Sequence, residues 1–290
     1  MAAIALNGVE RRLGSFALGP LTFSVPQGSV LAFIGPNGAG KTTTLDLLMG
    51  LGRPDRGEIS LLGMAMPGDE VAIKRKAAYV SPDLNFGPWG KVGRALDFIS
   101  GFYPDWDDAR CDKLLAEFGV RREERIAALS FGARIKLSLV MALARDAELL
   151  LLDEPTTGLD VAARLVLFRE ILEFVKPENR TVVISSHQLS DLERLADHVA
   201  ILNKGRLVTI GRMDQLVERY VQLDARLGAG GAMPALDGVR IMDRDGERYR
   251  LLFDRKTAHQ DQLGQYGIEI LSETPMTLEE IFVALVADKL

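Results

Sequence analysis

Residues 35–42 read Gly35-Pro36-Asn37-Gly38-Ala39-Gly40-Lys41-Thr42, the G-x-x-x-x-G-K-[ST] spacing of a loop that wraps phosphates. The chemistry follows from the residue types. Glycines let successive backbone N–H groups turn inward toward an anion, and the start of a following helix adds its positive end. Lys41 brings a point charge for the β- and γ-phosphates, the Thr42 hydroxyl is a hard oxygen ligand suited to Mg²⁺, and Thr43 continues the same phosphate-facing turn. A second block, Asp153-Glu154, supplies the complementary carboxylates. Asp153 would hold the metal through water, and Glu154 would orient or deprotonate a water for in-line attack. Together the blocks predict hydrolysis of a nucleoside triphosphate.

These residues need elements to hold them. Val30-Leu31-Ala32-Phe33-Ile34 is a continuous apolar run leading into the loop, as expected of a strand buried on both faces. Leu45, Leu48 and Leu51 recur at helical spacing after it, predicting a helix over 43–51. The order returns with four leucines at 149–152, a helix over 162–175 and a strand at 181–184, so the chain is read as parallel strands joined by helices in a doubly wound α/β layer. Between 83 and 130 the apolar residues Leu96, Phe98, Ile99, Phe102, Leu114, Leu115 and Phe118 are spaced as short amphipathic helices, a helical insert. Asn203-Lys204-Gly205 marks a hairpin late in the main domain.

The main domain is assigned to 1–215 and a small α+β domain to 216–290. In the latter, Gly228-Ala229-Gly230-Gly231 reads as a linker or loose loop, Asp245-Gly246 as a hairpin turn, and Thr277-Leu278-Glu279-Glu280 as a capping box opening a last helix.

Composition narrows the class. Hydrophobic residues make up 47% and charged residues 26%, an ordinary globular balance that excludes disorder and fibrous folds. A net charge of −5 argues against general binding to nucleic acid, which needs a basic face. Cys111 is the one cysteine, so no internal disulfide forms, a reducing compartment is implied, and the residue is read as a small half-buried hydrophobe in a helix. The first residues lack the basic and apolar segments of a secretory leader, and no apolar run approaches the roughly 20 residues of a membrane span, so any membrane connection is expected through a partner.

Leu129-Ser130-Phe131-Gly132-Ala133 stands before the acid pair where ABC ATPases carry their LSGGQ signature. With Asp153-Glu154-Pro155-Thr156-Thr157-Gly158-Leu159-Asp160 and Ile184-Ser185-Ser186-His187, the order of blocks over about residues 1–215 resembles that family. Residues 82–106, including Phe102-Tyr103-Pro104-Asp105-Trp106, more narrowly resemble the YtrB-like branch of bacterial transporter ATPases. The resemblance implies a P-loop NTPase fold of the ABC type, with a mixed sheet core and helical insert. It implies ATP with Mg²⁺, and two subunits, identical or different, clasping nucleotide head to tail. Ser130 and Gly132 would then grip a γ-phosphate held by the opposite subunit. Asp160 would lie at the seam, and His187 would contact the γ-phosphate; His198 and His259 are read as solvated or structural. A separate permease would be driven by the dimer, placing the protein in the cytoplasm on the inner face of the cell membrane.

Three positions depart from the family pattern. Pro82 stands where a glutamine is usual, removing an amide and a backbone N–H; Asp83 or an ordered water is expected to substitute. Phe131 replaces a signature glycine, which predicts slow turnover or one degenerate site. Leu13 occupies the place of the base-stacking aromatic, leaving Phe16 as either the adenine platform or a core residue. Chromosome-maintenance, repair and translation relatives are disfavoured by the absence of a long heptad insert, of a second ATPase unit and of a basic excess.

Overall fold

A computed structural model describes residues 1–83, 87–186, 189–228 and 233–286. The chain divides into two compact units, Met1–Gln188 with Leu195–Ile210, and Leu189–Arg194 with Gly211–Leu290.

In chain order the first unit contains β1 (Ala2–Leu13), β2 (Phe16–Pro26), β3 (Val30–Ile34), α1 (Lys41–Leu48), β4 (Arg56–Leu61), β5 (Met64–Met66), α2 (Glu70–Lys76) and β6 (Ala77–Val80). It continues through α3 (Val92–Ser100), α4 (Asp108–Phe118), α5 (Phe131–Leu143), β7 (Leu149–Leu152), α6 (Val161–Phe174) and β8 (Thr181–Ser185). Helix α7 (Leu189–Leu195), which apart from Leu195 belongs to the second unit, comes before β9 (His198–Asn203) and β10 (Arg206–Arg212) in the chain.

A six-stranded sheet runs β10-β9-β3-β8-β7-β6. Pairing is parallel from β9 across to β6. Every residue of β3, β7 and β8 is buried, which is why these segments are unbroken apolar runs and not alternating ones. The strand order puts β8 between β3 and β7, so the phosphate loop and the acid pair leave the same sheet edge with the end of β8 between them.

A second sheet, β2-β1-β4-β5, is antiparallel and was not foreseen in the sequence. Its inner residues Ile4, Leu6, Leu18, Leu21, Ile59 and Leu61 share one core with Leu45 and Leu48 of α1 and with Phe33. The sheet therefore backs the helix that carries the phosphate loop.

The insert is helical as expected. Asp107 caps α4 by accepting from the Arg110 N–H at 2.9 Å, and Gly119 ends it in a left-handed conformation, φ 68°. Cys111 is fully buried there, deeper than the half-burial expected, and its thiol is pushed up to about 11 by that burial.

The second unit contains α8 (Met213–Arg219), β11 (Tyr220–Leu227), β12 (Val239–Asp245), β13 (Arg248–Asp254), α9 (Gln260–Gln265), β14 (Ile268–Pro275) and α10 (Leu278–Val286). Its antiparallel sheet runs β12-β13-β11-β14, with Leu223, Leu251, Phe253 and Leu263 in its core. The expected hairpin and capping box are present: the Glu280 N–H donates to Thr277 Oγ1 at 3.3 Å, and the Thr277 N–H donates to Glu280 Oε2 at 2.8 Å. Residues 229–231 of the expected linker lie outside the described residues. Among the described residues, no helix is long and apolar enough to cross a membrane.

Candidate nucleotide site

The phosphate loop is shaped by close backbone approaches. Gly40 caps α1 at φ 105°, and a β-carbon there would stand 2.6 Å from Leu18 Cδ1 and 3.1 Å from Phe16 Cζ. A β-carbon on Gly35 would stand 2.5 Å from the Leu202 carbonyl oxygen. Only glycine fits at either place, so the loop is wedged between β2 and β9. Residues 37–43 line a cavity of about 350 Å³ together with Phe16 and Glu154. Leu13, by contrast, is exposed.

Lys41 is buried and turned back on the loop. Its Nζ donates to the Gly35 carbonyl at 2.7 Å and to that of Pro36 at 3.5 Å, and lies 3.7 Å from Glu154 Oε1. The Thr42 hydroxyl donates to Asp153 Oδ2 at 2.6 Å. A hydroxyl and a carboxylate thus converge as a pair of hard oxygen donors, a set that suits Mg²⁺, whose remaining positions phosphates and water fill.

Ser185 completes the cluster. Its hydroxyl donates to Asp153 Oδ1 at 2.6 Å and accepts the Glu154 N–H at 2.8 Å. Glu154 adopts a left-handed backbone, φ 45°, a conformation that is strained for a side chain of its size. The Ser185 hydroxyl thus holds both acids of the pair in place. Ser185 was not singled out as a site residue in the sequence; its position at the end of a buried strand is the available signal.

Ser130 and Asp160 each cap a helix. Ser130 Oγ accepts the Ala133 N–H at 3.2 Å at the start of α5, and Asp160 Oδ1 accepts the Ala163 N–H at 2.8 Å at the start of α6. Lys136 donates to Asp160 Oδ2 at 2.7 Å, and that hydrogen bond, with the backbone one, lowers the Asp160 carboxyl below its ordinary range. The two helix starts are packed together: a β-carbon on Gly132 would collide with the Gly158 carbonyl oxygen. Phe131 fills the space beside Gly158, where a β-carbon would stand 2.8 Å from the Phe131 ring, and it remains exposed on its outer side. His187 lies outside the described residues. His198 is half-buried at the start of β9, and His259 is exposed.

A further pair sits beside Thr42 and the acid pair. Asp46 follows Thr42 by one turn of α1, and the Tyr79 hydroxyl donates to Asp46 Oδ1 at 2.9 Å. Burial raises the Asp46 carboxyl, opposed by the Tyr79 hydrogen bond and reinforced by the charges of Asp153 and Asp83. Burial pushes the Tyr79 phenol up as well, so it stays a donor. Asp83 itself is exposed, its N–H donating to Ser81 Oγ at 3.3 Å.

A strand, a phosphate loop and a facing acid pair on a parallel sheet define a nucleotide-hydrolysing domain of the P-loop class. The model of the ABC transporter family matches residues 18–157. The chain is 34% identical over 230 residues to the Nod factor export ATP-binding protein I of Burkholderia orbicola, covering 77% of this chain and 75% of that protein. It is 25% identical to the ABC transporter ATP-binding protein YtrB of Bacillus subtilis across 93% of each. Among solved structures, an ATP-binding subunit of an ABC transporter superposes with a TM-score of 0.67 at 28% identity, covering 74% of this chain and 92% of that one. The chain belongs to the ABC transporter ATP-binding family. Like its members, it binds ATP and hydrolyses it to power transport.

Proposed function

We propose that two such subunits close head to tail around Mg²⁺–ATP and that the closing and reopening drive a separate permease. The observation that carries this reading is the unpaired half of the site. Lys41, Thr42 and Glu154 line the cavity, with Asp153 bonded to Thr42 behind them, whereas Ser130 and Gly132 belong to another helix start, packed on Gly158 and capping α5. A partner's Ser130 and Gly132 supply the missing cover.

Within one subunit, residues 35–43 bind the phosphates, with Lys41 leaving the Gly35 carbonyl for the β- and γ-phosphates. Thr42 would hold Mg²⁺ directly and Asp153 through water, and the ion would draw charge from the phosphates. Glu154 orients and deprotonates the attacking water, and Ser185 keeps both acids aimed. Phe16, against Gly40, offers its ring to the adenine base. Asp160 lies at the seam, and His187 senses the γ-phosphate.

The permease contact is assigned to the insert. Trp89 and Phe98 meet edge to face with centroids 4.7 Å apart, Phe98 and Phe102 likewise at 5.1 Å, and both phenylalanines are more than half exposed. A cavity of about 360 Å³ opens beside Trp89, Arg94 and Phe98. Such an aromatic patch suits an apolar helix end of a membrane protein. The neighbouring Tyr103 is structural, with the Arg145 guanidinium 3.7 Å over its ring. The permease would hold the subunit in the cytoplasm at the inner face of the membrane, and residues 216–290 would act as an accessory domain.

The test is oligomeric state with nucleotide. Glu154→Gln should remain monomeric without ATP and become dimeric with Mg²⁺–ATP by light scattering, and Lys41→Ala should lose about ten-fold or more in ATP affinity, the scale of a charge-assisted contact. Glu154→Gln remaining monomeric at saturating ATP sinks the reading.

A further inference from the structure

The interior beside the metal ligands carries an arrangement that the roles above leave unused. Asp46 stands on the same side of α1 as Thr42, four positions on, where helix geometry brings the two side chains together. One of its oxygens is fixed by the Tyr79 hydroxyl at 2.9 Å; the other takes no hydrogen bond among the described residues. Tyr79 lies on β6, whose last residue, Val80, leads directly into Ser81, Pro82 and Asp83 at the entrance of the helical insert. The pair therefore joins the helix that presents Thr42 to the strand that leads to the insert. Pro82, with neither an amide side chain nor an N–H, cannot make such a tie.

We propose that Asp46, held by Tyr79, is a positioning residue for Mg²⁺–ATP, tying the metal's surroundings to the strand entering the helical insert, a tie that Pro82, having no amide or N–H to offer, does not make. The inference rests on the magnesium–nucleotide reading of the site. Burial raises the Asp46 carboxyl, and the charges of Asp153 and Asp83 act on it in the same direction. A divalent cation relieves that repulsion, whereas a free anionic triphosphate adds to it. The free oxygen of Asp46 suits a hydrogen bond from a water in the cation's hydration shell, which magnesium retains when bound. Outer partners of this kind orient the ligands that touch the metal.

The charge argument gives effects of opposite sign. The full chain is titrated with mant-ATP in excess Mg²⁺ and, separately, in EDTA, for the parent, Asp46→Asn and Tyr79→Phe. Asp46→Asn should weaken binding with Mg²⁺ by about ten-fold, the scale of outer-shell substitutions, while leaving affinity in EDTA unchanged or tighter. Tyr79→Phe should move the Mg²⁺ affinity the same way by less, with unfolding midpoints reporting that both variants fold. Equal weakening in both conditions reduces Asp46 to a structural residue and overturns the inference, as does an Asp46→Asn chain that binds like its parent. A parent whose affinity ignores Mg²⁺ overturns the site reading itself, and this inference with it.

Discussion

Thr42 Oγ1 and Asp153 Oδ2 lie 2.6 Å apart, so the phosphate loop and the acid strand are latched to each other by the two groups assigned to the metal. The same two oxygens would serve Mg²⁺, Thr42 directly and Asp153 through water, and this hydrogen bond already brings them together. The latch holds because Ser185 grips the other Asp153 oxygen at 2.6 Å.

Removing that grip should therefore damage catalysis more than folding. Ser185→Ala frees Asp153 Oδ1 and the Glu154 N–H together, and steady-state ATPase activity should fall by about ten-fold or more. Binding of ATP in EDTA should stay near the parental value, since the phosphate loop keeps its own contacts. Unchanged turnover would show that the acids hold their places without the serine.

Gly132→Ala drives a methyl into the Gly158 carbonyl oxygen. The backbone must shift, at a cost of about 1–3 kcal/mol. The urea midpoint should fall accordingly, and the ATP-dependent dimer proposed for Glu154→Gln should weaken in the double variant. A stable Gly132→Ala chain that still dimerises contradicts the close packing described for this turn.

The exposed rings of the insert should matter for partnership alone. Phe98→Asp with Phe102→Asp should abolish retention on membranes containing the permease, while mant-ATP affinity stays within about two-fold, because surface changes away from the site seldom move it. Membrane retention equal to the parent's would move the docking surface elsewhere.

The second unit should report acid through Asp254. This nearly buried carboxylate accepts from Arg219 Nε at 2.7 Å and Nη2 at 2.5 Å, and from the Lys256 N–H and Thr257 hydroxyl at 3.0 Å each. Burial alone would raise it, yet these bonds hold it below its ordinary range. The bonds favour the folded state above the unfolded-chain value of about 4 and lose that contribution as pH falls through the lower folded value. Protection of the β13 amides, taken relative to the intrinsic exchange rate at each pH, should fall as the pH drops below the unfolded-chain value of about 4. In Asp254→Asn the unit should exchange faster at neutral pH and respond less to acid; a parental response in that variant removes Asp254 as the cause.

Much of the site was legible because it is local. A phosphate loop, its strand and its helix are contiguous in the chain, so residues 30–48 could be read without knowing any long-range pairing. The acid pair was equally clear, since four buried leucines announce the strand that ends on it. Ser185 was not, because its role depends on β8 lying between β3 and β7, an order that sequence conceals. The same holds for the Tyr79–Asp46 bond and for the antiparallel sheet behind α1, each made by segments far apart in the chain. Cys111 was placed on the right helix but too near its surface, because burial depends on what packs over a helix. The departure at Phe131 was visible as a letter; that its ring rests on Gly158 was not.

That tight approach at Gly158 and Gly132 joins the turn after Glu154 directly to the start of α5. In the proposed dimer, this packing would let a displacement beside Glu154 in one copy reach the helix start that faces the other.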